Sequence, residues 1–155
     1  MQRLFSSGGA LVVLLAIASL LPVSEAYTDE SAEIKRVIND HIRKNEIAIF
    51  SKINCPFSIK AKRMALDELG VKPGVIELDQ RPKGDGSTIQ RQLGKLIKAD
   101  RALPTVPQIW VNGQYIGGSD ALRKAIDSGK LTKEKLAKLT KLRMRPLNGP
   151  GSQEF

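Results

Sequence analysis

The sequence predicts an α/β fold in which a mixed four-stranded sheet is flanked by helices. Three observations predict it. Short apolar runs rich in Ile, Val and Phe alternate with amphipathic stretches of helical period. The first two runs are separated by one such helix, so they pair in parallel through a right-handed crossover. The last two are separated only by Asn112-Gly113, a two-residue hairpin turn, so they pair antiparallel.

A chain of 155 residues suits one domain with extensions. It is 41% hydrophobic, enough for a core, and carries a net charge of +9. Residues 1–26 contain one charge of each sign, Arg3 and Glu25, so the excess belongs to the remainder. Such an excess suits nucleic acid, an anionic membrane or small anionic thiols. Lys and Arg are dispersed apart from a modest cluster at Lys130–Arg145, aromatic residues are 5%, and no nucleic-acid motif is present. These features argue against nucleic-acid binding.

Met1 to Ala26 has the three parts of a secretory signal peptide. Arg3 gives a positive start, Ala10–Leu21 is a continuous apolar run broken by Pro22, and Ser24-Glu25-Ala26 is a small-x-small cleavage site. The apolar run is short for a membrane span. Cleavage places residues 27–144 in the secretory pathway, in the ER or Golgi lumen or outside the cell. Without cleavage the segment becomes a signal anchor and the only membrane contact.

The first element of the domain is a helix over Tyr27–Asn45, with Thr28 or Ser31 as cap and Ile34, Val37, Ile38, His41 and Ile42 as inner stripe. His41, the only histidine, lies on that stripe, so periodicity reads it as structural. A strand follows over Glu46–Ser51. Ile59–Leu69 is amphipathic and helical, ended by Gly70, and 71–74 is a loop. Val75–Asp79 is the second strand. Arg81–Gly86 is a polar turn, and Asp85 or Ser87 caps a helix running to about Lys98 through Ile89, Leu93, Leu96 and Ile97. Gln108–Val111 and Gln114–Ile116 form the hairpin. Gly117–Asp120 leads into a helix over Ala121–Ser128 closed by Gly129, and Thr132 caps a last helix to Leu139. Residues 145–155, rich in Pro, Gly and Asn, read as a disordered tail. The order α-β-α-β-α-β-β-α-α is the thioredoxin-like architecture.

Chemistry concentrates at Cys55, the only cysteine. It stands between a strand and a helix, and Pro56 suits the first helical position, where a missing N–H costs nothing. A sulfur there faces unpaired backbone N–H groups and the positive end of the helix dipole, which favour thiolate over thiol. Lys52 adds positive charge. A lone cysteine is ordinarily a small buried apolar residue, but the strand, Lys52, the Cys-Pro-aromatic-Ser order and the helix together point to a nucleophile. Ser58 stands where a Cys-x-x-Cys motif has its second thiol, so no internal disulfide forms.

The chain resembles the glutaredoxin family over about residues 30–140. Four segments carry the likeness in order: Ile49–Ser58, Glu77-Leu78-Asp79 with Ile89-Gln90, Thr105-Val106-Pro107, and Ile116–Asp120. The resemblance implies a glutathione site with Cys55 as the nucleophile. Lys52 and Gln90 match side chains that hold the glycine carboxylate. The backbone of Thr105 and Val106 aligns the cysteinyl part, with Pro107 as a cis-proline. Ser119 and Asp120 grip the γ-glutamyl end, and Phe57 replaces a tyrosine beside the sulfur. Arg101, after an Ala99-Asp100 departure and before the extra Ala102-Leu103-Pro104, has no assigned role, and Ala121 replaces the last acid of the family's pattern.

With Ser58 in the motif, the resemblance implies a monothiol glutathione-disulfide oxidoreductase of the catalytic subgroup, distinct from the Cys-Gly-Phe-Ser subgroup. It acts on glutathionylated proteins or small disulfides as a monomer, with glutathione as co-substrate and no metal. The alternative is a dimer holding a [2Fe–2S] cluster through Cys55 and glutathione, which Pro56 would crowd. A redox-inactive interaction module with a buried Cys55 is the third possibility.

Overall fold

The computed structural model describes residues 23–82, 84–100 and 103–143. The expected signal segment lies outside these residues up to residue 22, and so do Arg101 and the tail from 145 onward. The chain divides into two compact units, 1–33 and 34–155. The second carries the sheet. Helix α1 is Val23–Lys44, so it begins before the expected Tyr27, and Thr28 and Ser31 lie inside it rather than capping it. Among the described residues no helix is long and apolar enough to cross a membrane.

The strands are β1 (Ile47–Ser51), β2 (Gly74–Glu77), β3 (Gln108–Val111) and β4 (Gln114–Gly117). They form one mixed sheet in the order β2-β1-β3-β4, with β1 parallel to β2 and the other pairs antiparallel. The turn between β3 and β4 puts Asn112 at φ 48° and Gly113 at φ 87°, the positive pair that a tight hairpin requires.

The helices are α2 (Pro56–Arg63), α3 (Asp85–Leu96), α4 (Ser119–Asp127) and α5 (Lys133–Arg143). Helix α2 continues as a π-turn over Met64–Glu68, where the Leu69 N–H reaches the Met64 carbonyl at 3.3 Å. Gly70, at φ +66°, then ends it. Helix α3 is capped by Gly84, whose carbonyl accepts from the Thr88 N–H at 3.1 Å, so neither Asp85 nor Ser87 is the cap. Thr132 does cap α5, its hydroxyl oxygen accepting the Lys135 N–H at 3.3 Å, and that helix runs past the expected end.

Strand alternation divides the core in two. Ile47 and Ile49 of β1 and Ile109 and Val111 of β3 face Ala61 and Met64 of α2 and its extension, Leu122 of α4 and Leu136 of α5. On the other face Ala48, Phe50 and Trp110 meet Ile34, Ile38 and Ile42 of α1 and Ile89 and Leu93 of α3. Each such side chain, once buried, contributes roughly 1.5–3 kcal/mol before entropy is counted. Five buried residues in a row along β1 therefore fix it as the central strand, wet on neither face.

That register positions the chemistry. Phe50 pairs with Gln108, and Ile109 pairs with Gly117. The exit of β1, the entry of β3 and the exit of β4 thus meet at one end of the sheet. They bring together the turn bearing Cys55, the loop before Gln108 and the start of α4.

Candidate functional site

Cys55 is the residue before α2, with extended backbone at φ −83° and ψ 115°. Its carbonyl accepts the first helical bond from the Ile59 N–H at 3.0 Å, and its own N–H donates to the Lys52 carbonyl at 3.1 Å. The side chain is half-buried, and its Sγ lies 3.7 Å from the Val106 carbonyl oxygen, within reach of an S–H donor. Pro56 occupies the first helical position, as expected.

The Cys55 thiol lies below its ordinary pKa. Partial burial pushes it up and is the largest single influence. The Ser58 hydroxyl, the Ser58 and Phe57 N–H groups and the Lys52 charge together outweigh it. This is the helix-start effect on a thiolate. The Ser58 side chain is fully buried, and its hydroxyl has no geometrically formed hydrogen bond among the described residues. A buried hydroxyl without a partner is costly. As the strongest of the groups that lower the Cys55 pKa, the Ser58 hydroxyl is a donor available to the thiolate, a role that its place in the motif does not announce.

A cavity of about 400 Å³ opens beside the sulfur. Phe57 forms one wall and Thr105, Val106 and Pro107 form another, with the Val106–Pro107 bond cis. The third side is Gly118 to Ala121. Helix α4 begins at Ser119, two residues earlier than expected, so Ser119 and Asp120 belong to its first turn rather than to the loop before it. The cavity therefore meets unpaired helix-start N–H groups together with an exposed carboxylate at Asp120.

Six of the candidate residues thus line one cavity: Phe57, Thr105, Val106, Pro107, Ser119 and Asp120. Cys55 is joined to it through Val106. Lys52 and Gln90 are not part of this lining. Lys52 is exposed on the turn before the sulfur. Gln90 donates its amide to the Pro104 carbonyl at 2.6 Å, which ties α3 to the start of the Thr105–Pro107 loop.

The sequence reading gives no part to Asp79, and the structure does. Strand β2 ends at Glu77, two residues before the expected Asp79, and Leu78–Gln80 is a 3₁₀ turn. That turn aims the Asp79 carboxylate at the Ile53 N–H, with oxygens at 3.2 and 3.1 Å. Asp79 so holds the turn between Lys52 and Cys55. Helix α3 packs so closely on Leu78 that a Cβ at Gly86 would sit 1.9 Å from the Leu78 carbonyl oxygen. His41 behaves as its place on the inner stripe predicts. It stacks edge-on against Phe50 with ring centroids 5.1 Å apart, and its Nδ1 lies 3.3 Å from the Asn45 amide nitrogen.

Known proteins resemble the chain throughout this region. The family model described as glutaredoxin matches residues 47–116, from β1 to β4. Glutaredoxin-C4 of Arabidopsis thaliana is 37% identical over 134 residues, 85% of this chain and 91% of that protein. Monothiol glutaredoxin-S6 of Oryza sativa subsp. japonica is 40% identical over 124 residues, 78% of this chain and 88% of that protein. The crystal structure of a buckwheat glutaredoxin–glutathione complex superposes with a TM-score of 0.58 at 26% identity, over 74% of this chain and 94% of that one. A thiolate-stabilising turn, a cis-proline loop and likeness over nearly the whole length of such relatives lead to one conclusion: the chain belongs to the glutaredoxin family of thiol oxidoreductases.

Proposed function

We propose that the protein is a glutathione-dependent disulfide oxidoreductase working through one thiol, with Cys55 forming a mixed disulfide with glutathione. The observation that carries this reading is the half-buried Cys55 sulfur, lowered in pKa, at the edge of a cavity with helix-start N–H groups and an acid at its far side. Glutathione is an extended tripeptide with two carboxylates and one amine. The first turn of α4 suits its γ-glutamyl carboxylate and Asp120 its amine. The backbone of Thr105 and Val106 suits its peptide, and Lys52 stands on the sulfur's other flank for the glycine carboxylate. Gln90, engaged with Pro104, supports the loop. The similarity to a glutaredoxin solved with glutathione supports the same ligand here.

The Cys55 thiolate attacks the glutathione sulfur of a glutathionylated protein. The substrate's S–S bond breaks, its own thiolate leaves and takes a proton, and Cys55 holds the glutathione. A second glutathione thiolate attacks that sulfur, freeing Cys55 and releasing glutathione disulfide. A stabilised thiolate serves both as attacker and as leaving group. Ser58 supplies no second thiol, so each turn on a glutathionylated protein consumes one free glutathione, the other half of the glutathione disulfide coming from the substrate. The assay is turnover of hydroxyethyl disulfide and of a glutathionylated peptide with glutathione. Wild-type turnover that Cys55→Ser abolishes is the expected result, and full turnover by Cys55→Ser refutes the mechanism.

An iron–sulfur centre takes four ligands. The chain has one cysteine, and the described residues contain no group of three or more His, Cys, Asp or Glu side chains placed to hold a metal. One chain therefore does not complete a ligand set, and no observation favours the two-chain arrangement that would. The pattern of residues 1–26 supports action in the secretory pathway after cleavage behind Ala26. A mature chain that starts at Tyr27 by mass spectrometry is the expected result, and an intact Met1 overturns cleavage.

A further inference from the structure

A second concavity begins one residue past Cys55. This groove, about 420 Å³, starts at Pro56, next to the sulfur, and runs along α2 past Ile59, Lys60 and Arg63 to Asp67 and Arg123. Three large apolar side chains within four residues of Cys55 are exposed: Ile53 at 41%, Phe57 at 55% and Ile59 at 38%. Ile59 lines the groove and Phe57 the neighbouring cavity, and large apolar side chains left exposed beside a reactive group mark an interaction site. The charges are as selective. Among the described residues Lys62 is paired with Glu77, and Arg123 with Glu68 and Asp127. Lys60 and Arg63, both in the groove, are exposed and form no ion pair there. The one acid in the groove not held by an arginine is Asp67, at the end away from the sulfur.

We propose that this groove docks the polypeptide of a glutathionylated protein substrate, and that it prefers a segment carrying acidic and apolar side chains next to the modified cysteine. The proposal rests on the reading of Cys55 as the nucleophile. With glutathione in the cavity between Phe57 and α4, the rest of the substrate has to leave the sulfur by another path, and the groove that starts at Pro56 offers one. Ile59 in the groove fits an apolar side chain of the substrate. The unpaired cations fit its acids and reject basic neighbours, since like charges brought together at an interface discriminate strongly.

The test uses three glutathionylated peptides of equal length, with glutamate, serine or lysine residues and one leucine flanking the cysteine. Hydroxyethyl disulfide is the small substrate without flanks. Each kcat/KM for a peptide is divided by that of the same protein for hydroxyethyl disulfide. The wild type is expected to favour the glutamate peptide over the lysine peptide by about tenfold or more at low salt. Half-molar salt should shrink the preference severalfold by screening. Lys60→Glu with Arg63→Glu should abolish or reverse it. Lys138→Glu with Lys141→Glu, the same charge change on α5, should leave it standing. Equal normalised rates for the three peptides overturn the proposal, as does loss of the preference in the α5 pair. A concentration-dependent dimer that Lys60→Glu with Arg63→Glu breaks assigns the groove to a second copy and also overturns it. Failure to turn over hydroxyethyl disulfide refutes the reading of Cys55 itself, and the docking proposal with it.

Discussion

Replacing Gly86 with alanine probes how α3 and the exit of β2 hold the cysteine turn. The added methyl would lie 1.9 Å from the Leu78 carbonyl oxygen and 2.8 Å from its carbon. Ordinary contact begins about 1.5 Å farther out than the first of these. The obstacle is backbone, so no rotamer change relieves it. Alanine gains at most about 1 kcal/mol over glycine in a helix. Overpacking costs about 1–3 kcal/mol, and a rigid carbonyl puts this site at or above the upper end. The net loss is about 2 kcal/mol, or roughly 6–10 °C in Tm for a domain of this size. The effect should reach the sulfur, because the displaced turn carries Asp79 and Asp79 holds the Ile53 N–H. Thermal unfolding and iodoacetamide labelling of Cys55 at pH 6.5 are the assays. Gly74→Ala is the contrast. Its Cβ also meets atoms within 2.5 Å, but they belong to the Asn45 side chain, which can turn away at the cost of its bond to the His41 carbonyl. A Gly86→Ala protein as stable as wild type, or a Gly74→Ala protein that loses more, refutes the reasoning.

Three further outcomes follow from named contacts. Ser58→Ala removes a donor to the thiolate, so the Cys55 pKa should rise and labelling at pH 6.5 should slow severalfold. Because the lost hydroxyl is buried without a partner, Tm should hold or increase; a faster-labelling or strongly destabilised variant contradicts this. Asp79→Ala should also slow labelling, whereas Asp79→Asn, which keeps an acceptor for the Ile53 N–H, should restore most of the rate; equal rates in all three proteins dismiss the positioning role. Burial lowers the His41 pKa from its ordinary 6.5, only partly offset by the backbone of Ile49 and Gly74. The folded protein therefore resists a proton that the unfolded chain accepts. This stability is complete above pH 6.5 and is lost as pH falls through 6.5 toward the folded value. Measured by urea unfolding, the loss between pH 7.5 and 5 should be smaller in His41→Phe than in wild type, and an identical loss in both is the contrary result.

Local chemistry made much of the fold legible. Strand β3 runs from Gln108 to Val111 as read, because an apolar run ending in Asn-Gly allows one register. Pro56 and Gly70 mark the ends of the α2 segment through backbone rules that distant residues do not alter. Cap choice was less legible. Thr28, Ser31, Asp85 and Ser87 all have the right side chains, but α1 runs through the first pair and Gly84 caps α3, since packing against the sheet decides among competing signals. The cavity residues could be gathered from the resemblance, but the parts of Asp79 and Ser58 could not. Asp79 depends on β2 ending at Glu77 and on a contact 26 residues away in sequence. Ser58 reads as a lost thiol, and only its complete burial shows a donor without a partner.

The rate of Cys55 alkylation as a function of pH addresses the sulfur directly, with no substrate or partner needed. The single cysteine makes the signal unambiguous. An inflection clearly below the ordinary thiol value of about 8.5, moved upward in Ser58→Ala and in Lys52→Ala, is the predicted result. An inflection at or above that value, or no labelling of the folded protein at any pH, contradicts it.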